Sequence, residues 1–114
     1  MNSGHRFHVP TLHAFIQAVF HQMGSNELEA RLVADHLIAS NLVGHDSHGI
    51  GMIPSYIRSF LQGHLQINRH AKVVNDAGAV ITLDGDCAFG QVAAHEAITL
   101  GIEKARQYGI AAVA

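Results

Sequence analysis

The densest group of reactive side chains is the string Gly44-His45-Asp46-Ser47-His48-Gly49, which gathers two imidazoles, a carboxylate and a hydroxyl inside a glycine-flanked segment. Glycine on both sides lets another group come close to the backbone. A histidine in such a loop can donate a hydrogen bond to a carboxylate, a phosphate or a nicotinamide carboxamide. Three other uses of the same residues stand beside that one. Asp46 or Ser47 can simply cap a following helix, leaving the histidines on the surface. His45, Asp46 and His48 can be imagined as metal ligands, although no Cys-x-x-Cys or His-Glu-x-x-His pattern supplies the rest of a site. Ser47 as a nucleophile fits poorly, because its neighbours are Asp46 and His48 and not the Gly-x-Ser-x-Gly elbow that follows a strand.

Elsewhere the sequence offers less chemistry. Gly49-Ile50-Gly51 begins like a dinucleotide fingerprint, but Pro54 stands at the third glycine position and a helix precedes it; there is no Walker A pattern. Cys87 has no nameable partner and reads as a small apolar filler. His95 and Glu96, adjacent on a helix, point in different directions and are expected to be solvated or structural. Arg58, Arg69 and Lys72 are too sparse for an anion site.

The elements that must hold these residues follow from periodicity. The chain has 114 residues, 48% of them hydrophobic, enough for a small packed core. After Pro10, which suits a first helical turn, Leu12, Phe15, Ile16, Val19, Phe20 and Met23 define one apolar face, and Gly24 is placed to stop the helix. Ser25 or Asn26 is expected to cap a second helix over 27–41, with Glu29 three residues after Asn26. Ala30, Val33, Ala34, Leu37 and Ile38 line that helix, with Leu28 and Leu32 widening the stripe. A third helix, with Pro54 in its first turn, reaches Gly63. From His70 the period changes: Val73-Val74 and Val80 to Leu83, joined by a turn at Asp76-Ala77-Gly78, predict a hairpin. A fourth helix over 90–107 ends at Gly109, and Ile110 to Ala114 read as the beginning of a buried strand. The expected fold class is therefore mixed α/β (α+β): a helical region over 1–68, then the start of an α/β domain over 69–114, with the chain read as a truncated N-terminal piece of a longer protein.

Composition narrows the class of partner. Seven Lys and Arg against nine Asp and Glu give a formal charge of -2, so neither nucleic acid nor an anionic membrane is an expected partner. One cysteine permits no internal disulfide, and no signal peptide or membrane span is visible; a soluble, cytoplasmic protein is expected. Ten histidines are many, yet they are scattered and do not by themselves argue for a metal.

The string Gly44 to Gly49, followed by Pro54-Ser55-Tyr56 and Gln62-Gly63, resembles the malate/L-lactate dehydrogenase family. The resemblance continues through Leu83-Asp84-Gly85-Asp86, Gly90-Gln91-Val92-Ala93-Ala94, Ala105 and Gly109-Ile110-Ala111, in order, along nearly the whole chain from Thr11. It implies a non-Rossmann mixed α/β NAD(P)-binding domain packed with a helical N-terminal region, working as a homodimer on small 2-oxo and 2-hydroxy acids with NAD, or alternatively NADP. It also implies that His48 reaches the cofactor and that the proton-transferring histidine falls after Ala114, leaving Ser47 as the one further catalytic candidate within these residues and no metal ligand. A non-catalytic helical binding module, or a metal-dependent hydrolase, is the alternative.

One departure from the family carries a consequence. Many members have an arginine four residues after the motif histidine, suited to gripping a carboxylate with its fork; here the residue is Met52. Losing that charge and gaining apolar surface favours a bulkier, more apolar substrate. The expected outcome is a higher kcat/KM for aromatic 2-oxo acids than for oxaloacetate in steady-state assays of the full-length enzyme, and the opposite order refutes the expectation.

Overall fold

The computed structural model describes residues 4–114 and divides into two compact units, one ending at Ser55 and the other spanning Tyr56–Ala114. The first holds α1 (Val9–Met23), α2 (Glu27–Leu42) and two short 3-10 turns, Asp46–His48 and Ile50–Met52. Helix α3 (Ile53–Leu61) carries the division between the units. The second unit then follows with β1 (Lys72–Ala77), β2 (Val80–Asp84), α4 (Gly90–Tyr108) and β3 (Ala112–Val113).

Helix α1 packs on α2 through Ile16 and Phe20, set against Ala30, Val33, Ala34, Leu37 and Ile38; all seven are buried, as the helical spacing requires. Two members of the expected apolar faces behave differently. Phe15 is 61% exposed and Leu28 45% exposed, because the contact with one neighbouring helix covers a narrower arc than the apolar residues occupy. The cap of α2 is Asn26, whose side chain accepts from the Glu29 backbone N–H at 2.9 Å. Glu29 is itself buried and accepts from Ser25 Oγ at 2.6 Å, so both candidate cap residues are used, one on the backbone and one on the carboxylate. At the open side of the pair, His13 Nε2 lies 2.6 Å from Asp35 Oδ1, and Glu27 receives Gln17 and His21.

Three helices stop in the same way. Gly24, Gly44 and Gly63 have φ of 102°, 79° and 77°, a conformation costly for any residue with a Cβ. At each one the following N–H returns to a carbonyl in the last turn: Ser25 to Phe20, His45 to Ser40 and His64 to Ser59.

In the second unit β1 and β2 form the expected antiparallel hairpin, but Ala77 pairs with Val80, so the tight turn is Gly78-Ala79 and β1 runs on through Asp76 and Ala77. Asp76 still serves that turn, accepting from Gly78 N–H at 3.1 Å. A bulge falls between Val73 and Asn75. Helix α4 then carries the chain to β3, which pairs parallel with β2 to give the order β1-β2-β3. Ile81, Phe89 and Val92 form its buried core, while Val73, Val74, Val80, Ile98 and Ile102 remain exposed.

Charged side chains pin this unit at three points. Glu96 accepts from the Ala71 backbone N–H at 2.7 Å and meets His70 Nδ1 at 2.6 Å, so the α4 carboxylate orders the approach to β1. Arg69 and Lys72 both converge on Asp86, at 3.3 and 2.9 Å, and are occupied there instead of forming an anion site. Lys104 grips Asp76 through both carboxylate oxygens, at 2.8 and 2.7 Å. The Asp76 carboxyl is held below its ordinary range chiefly by its hydrogen bond from Lys104, and that of Asp86 chiefly by the one from Lys72. Cys87, expected as an apolar filler, is exposed and sits at φ 58° beside Asp86 at φ 49°. Its place in a left-handed turn, where its carbonyl accepts from Gln66 N–H at 2.9 Å, keeps the thiol out of the core.

A carboxyl whose pKa is lower folded than unfolded adds stability that is complete above the unfolded value and is lost as pH falls through the folded one. Stability of the intact protein is therefore expected to be insensitive to these two groups at neutral pH and to decline on acidification below the ordinary carboxylate range. Lys104→Met should flatten part of that decline in urea midpoints measured against pH. An unchanged acid limb would show that the Asp76–Lys104 pair contributes nothing.

Candidate functional site

The 40–52 segment is built around the side chain of Asn41, in the last turn of α2. The glycine stop at Gly44 reverses the chain, with Gly44 N–H donating to the Asn41 carbonyl at 3.0 Å and His45 N–H to that of Ser40 at 2.8 Å. The returning strand of backbone then passes alongside Asn41. Its amide nitrogen donates to Asp46 Oδ1 at 2.6 Å, and its amide oxygen accepts from Ile50 N–H at 2.8 Å. One amide thus holds both ends of the motif, using a donor and an acceptor from the same planar group.

Gly49 explains why that clamp fits. Its φ of -90° suits any residue, so conformational freedom is not the requirement. A Cβ placed there would overlap the amide of Asn41, and the missing side chain makes room for the clamp and not for a ligand. Gly44 alone of the two flanking glycines is demanded by backbone conformation.

Within the clamp the chain forms a single 3-10 turn, closed by His48 N–H to the His45 carbonyl at 3.0 Å and Gly49 N–H to that of Asp46 at 3.1 Å. His48 is exposed, with Nδ1 2.9 Å from Ser47 Oγ. If the serine hydroxyl donates, Nε2 carries the proton and is a donor; if Nδ1–H donates, Nε2 is an acceptor. In both tautomers Nε2 is the atom left over for another molecule. Asp46 accepts from Asn41 and does not cap α3, since a second 3-10 turn intervenes. Met52 is half-buried, its N–H donating to Gly49 at 3.0 Å.

A groove of about 280 Å³ lies behind the turn, between Phe7, Leu12, Ile38 and Leu42, with Asn41 and Asp46 at its polar end. His48 does not line it. Among the described residues no three His, Cys, Asp or Glu side chains converge to hold an ion, and no helix is long and apolar enough to cross a membrane. Gln91, at the start of α4, donates to Tyr56 Oη at 3.0 Å, and the Tyr56 ring meets Phe89 edge-on at 5.5 Å, so the motif residues of the second unit are tied into its packing.

Asn41 is the residue that sequence reasoning missed. It was legible only as the end of a helix; the available signal was an amide one turn before a stopping glycine and five residues before the aspartate.

A helical unit ending in a clamped Asp-Ser-His-Gly turn is thus followed in the chain by a β-hairpin and a β-α-β crossover. Residues 7–114 match the sequence profile of the malate/L-lactate dehydrogenase family, and the chain belongs to that family. It is 78% identical over 114 residues to hydroxycarboxylate dehydrogenase B of Escherichia coli K12, covering all of this chain and 32% of that protein. L-sulfolactate dehydrogenase of Methanocaldococcus jannaschii is 35% identical over 96 residues, 84% of this chain and 28% of its own length. The solved malate dehydrogenase of Pyrococcus horikoshii superposes with a TM-score of 0.91 at 30% identity, covering 96% of this chain and 31% of that one. The chain spans about a third of the length of the curated relatives it matches.

Because Gly49 and Asn41 serve one clamp, Gly49→Ala and Asn41→Ala are expected to weaken stability by similar amounts, about 1–3 kcal/mol each. The double variant should cost little more than either single one. Additive losses in chemical denaturation of the intact protein would show that the two residues act independently.

Proposed function

We propose that this chain is the N-terminal part of an NAD(P)-dependent dehydrogenase that interconverts small 2-hydroxy and 2-oxo acids. The observation that carries the reading is the family match across 7–114 together with an exposed imidazole on a rigidly clamped turn. Reduction of a 2-oxo acid needs a hydride at the carbonyl carbon, a proton for the developing alkoxide and a donor for the carboxylate. The bound nicotinamide supplies the hydride. The residues present fit such a partner: with the Ser47 hydroxyl donating to Nδ1, His48 Nε2–H can donate to a carboxamide or carboxylate oxygen, and in the other tautomer Nε2 can accept from a carboxamide N–H. Ser47 holds the ring and is the second candidate at the reaction centre. No step requires a metal from these residues.

The proton-transfer histidine belongs, on this reading, to the chain beyond Ala114, so the 114 residues alone are expected to be inactive. NAD is the preferred cofactor, with NADP the alternative. Hydroxycarboxylate, malate and sulfolactate relatives support a small anionic substrate, with hydroxyphenylpyruvate- and 2-oxoglutarate-like acids as the candidates, and Met52 favours an apolar group on it over malate. A homodimer in the cytoplasm, with no nucleic acid or membrane partner, completes the proposal.

The test is NADH and NADPH oxidation by the full-length protein with a panel of 2-oxo acids. His48→Ala is expected to lower kcat/KM about 10- to 100-fold, the loss of one hydrogen bond to a polar or charged group. Full turnover in that variant removes His48 from the site, and absence of turnover with every 2-oxo acid favours a non-catalytic module.

A further inference from the structure

The 3-10 turn does more than reverse the chain. With three residues per turn, positions i and i+3 of a 3-10 helix eclipse one another, whereas in an α-helix they are offset. His45 and His48 are separated by that interval and are joined by the i to i+3 hydrogen bond that closes the turn. Their rings consequently meet in a tilted stack, centroids 4.4 Å apart and planes inclined by 31°. The approach of His45 is set from the other side by the glycine stop, which fixes its N–H on the Ser40 carbonyl. The clamped Asp46 lies between the two rings in sequence and holds the turn they share.

We infer that His45 is a positioning residue for His48: its imidazole stacks on the His48 ring and, with Ser47 Oγ on Nδ1, fixes the direction in which Nε2 points. An exposed side chain otherwise samples several rotamers, and each one lost on binding weakens the complex. Two restraints on different parts of the ring, a stack on its face and a hydrogen bond at one nitrogen, leave a single orientation. The stack needs a flat ring at position 45 but none of the chemistry of imidazole. That distinguishes His45 from a residue that itself contacts a ligand.

The inference rests on the proposed role of His48, and its test separates the two. Full-length enzyme carrying His45→Ala, His45→Phe or His48→Ala is assayed for KM and kcat with NADH. His45→Ala is expected to raise the KM for the cofactor about two- to tenfold, the range an aromatic pair contributes, with kcat changed less. Phenylalanine, which keeps a flat ring and removes the nitrogens, should recover most of the loss. In parallel, the ring proton signals of His48, assigned by their disappearance in His48→Ala, should move downfield in His45→Ala as the stacking ring current is lost and stay near their wild-type positions in His45→Phe. That measurement needs no turnover. Unmoved ring signals in His45→Ala overturn the stack. Phenylalanine failing as badly as alanine in the assay overturns the positioning role in favour of imidazole chemistry at position 45. If His48→Ala keeps full activity, it is the reading of His48 that falls, whatever the rings do.

Discussion

The side-chain amide of Asn41 is the constraint on which the motif depends. A helix end leaves backbone carbonyls without partners, and a loop that must return past it leaves further donors to satisfy. Here the glycine stop satisfies the carbonyls of Ser40 and Asn41, and the Asn41 amide satisfies the loop at Asp46 and Ile50. The Asp-Ser-His-Gly turn is thereby fastened at both ends while its middle stays open. Rigid ends with an exposed centre are what a binding loop requires, because ordering costs are met in folding and not at the moment a ligand arrives.

The same economy runs through the second unit on a different chemical basis. Its apolar core is small, with Ile81, Phe89 and Val92 buried, and carboxylates do much of the joining. Glu96 takes the Ala71 N–H, Asp86 gathers Arg69 and Lys72, and Asp76 ties the hairpin turn to Lys104 on α4. Surface ion pairs of this kind are individually weak. Their value here is geometric, since each joins segments that the short strands would otherwise leave loosely related.

The histidines show how composition misleads and how structure sorts it. Ten are present, and several are spent on structural ties: His13 to Asp35, His21 to Glu27 and Ser25, His70 to Glu96. His45 and His48 instead meet ring to ring. Nothing in the count distinguishes these uses, because each depends on which carboxylate or ring the fold brings near.

Helix α1 with its Gly24 stop, α2 with Asn26 as cap, the hairpin and α4 with its glycine end are all local matters, decided by periodicity, capping chemistry and left-handed glycines within a few residues of each other. The amino-acid order was sufficient for them, and for the resemblance that placed His48 in a motif. Tertiary structure decided what local rules cannot reach. It exposed Phe15 and Leu28 by limiting how much of each helix a neighbour covers, moved the hairpin turn to Gly78-Ala79 through strand register, and put Cys87 on the surface. It also gave Gly49 its meaning, since the need for a missing side chain there arises only when the Asn41 amide, eight residues earlier, is folded back against it. Periodicity reports which residues prefer burial, but the distance between two side chains on a reversed chain exists only once the chain has turned.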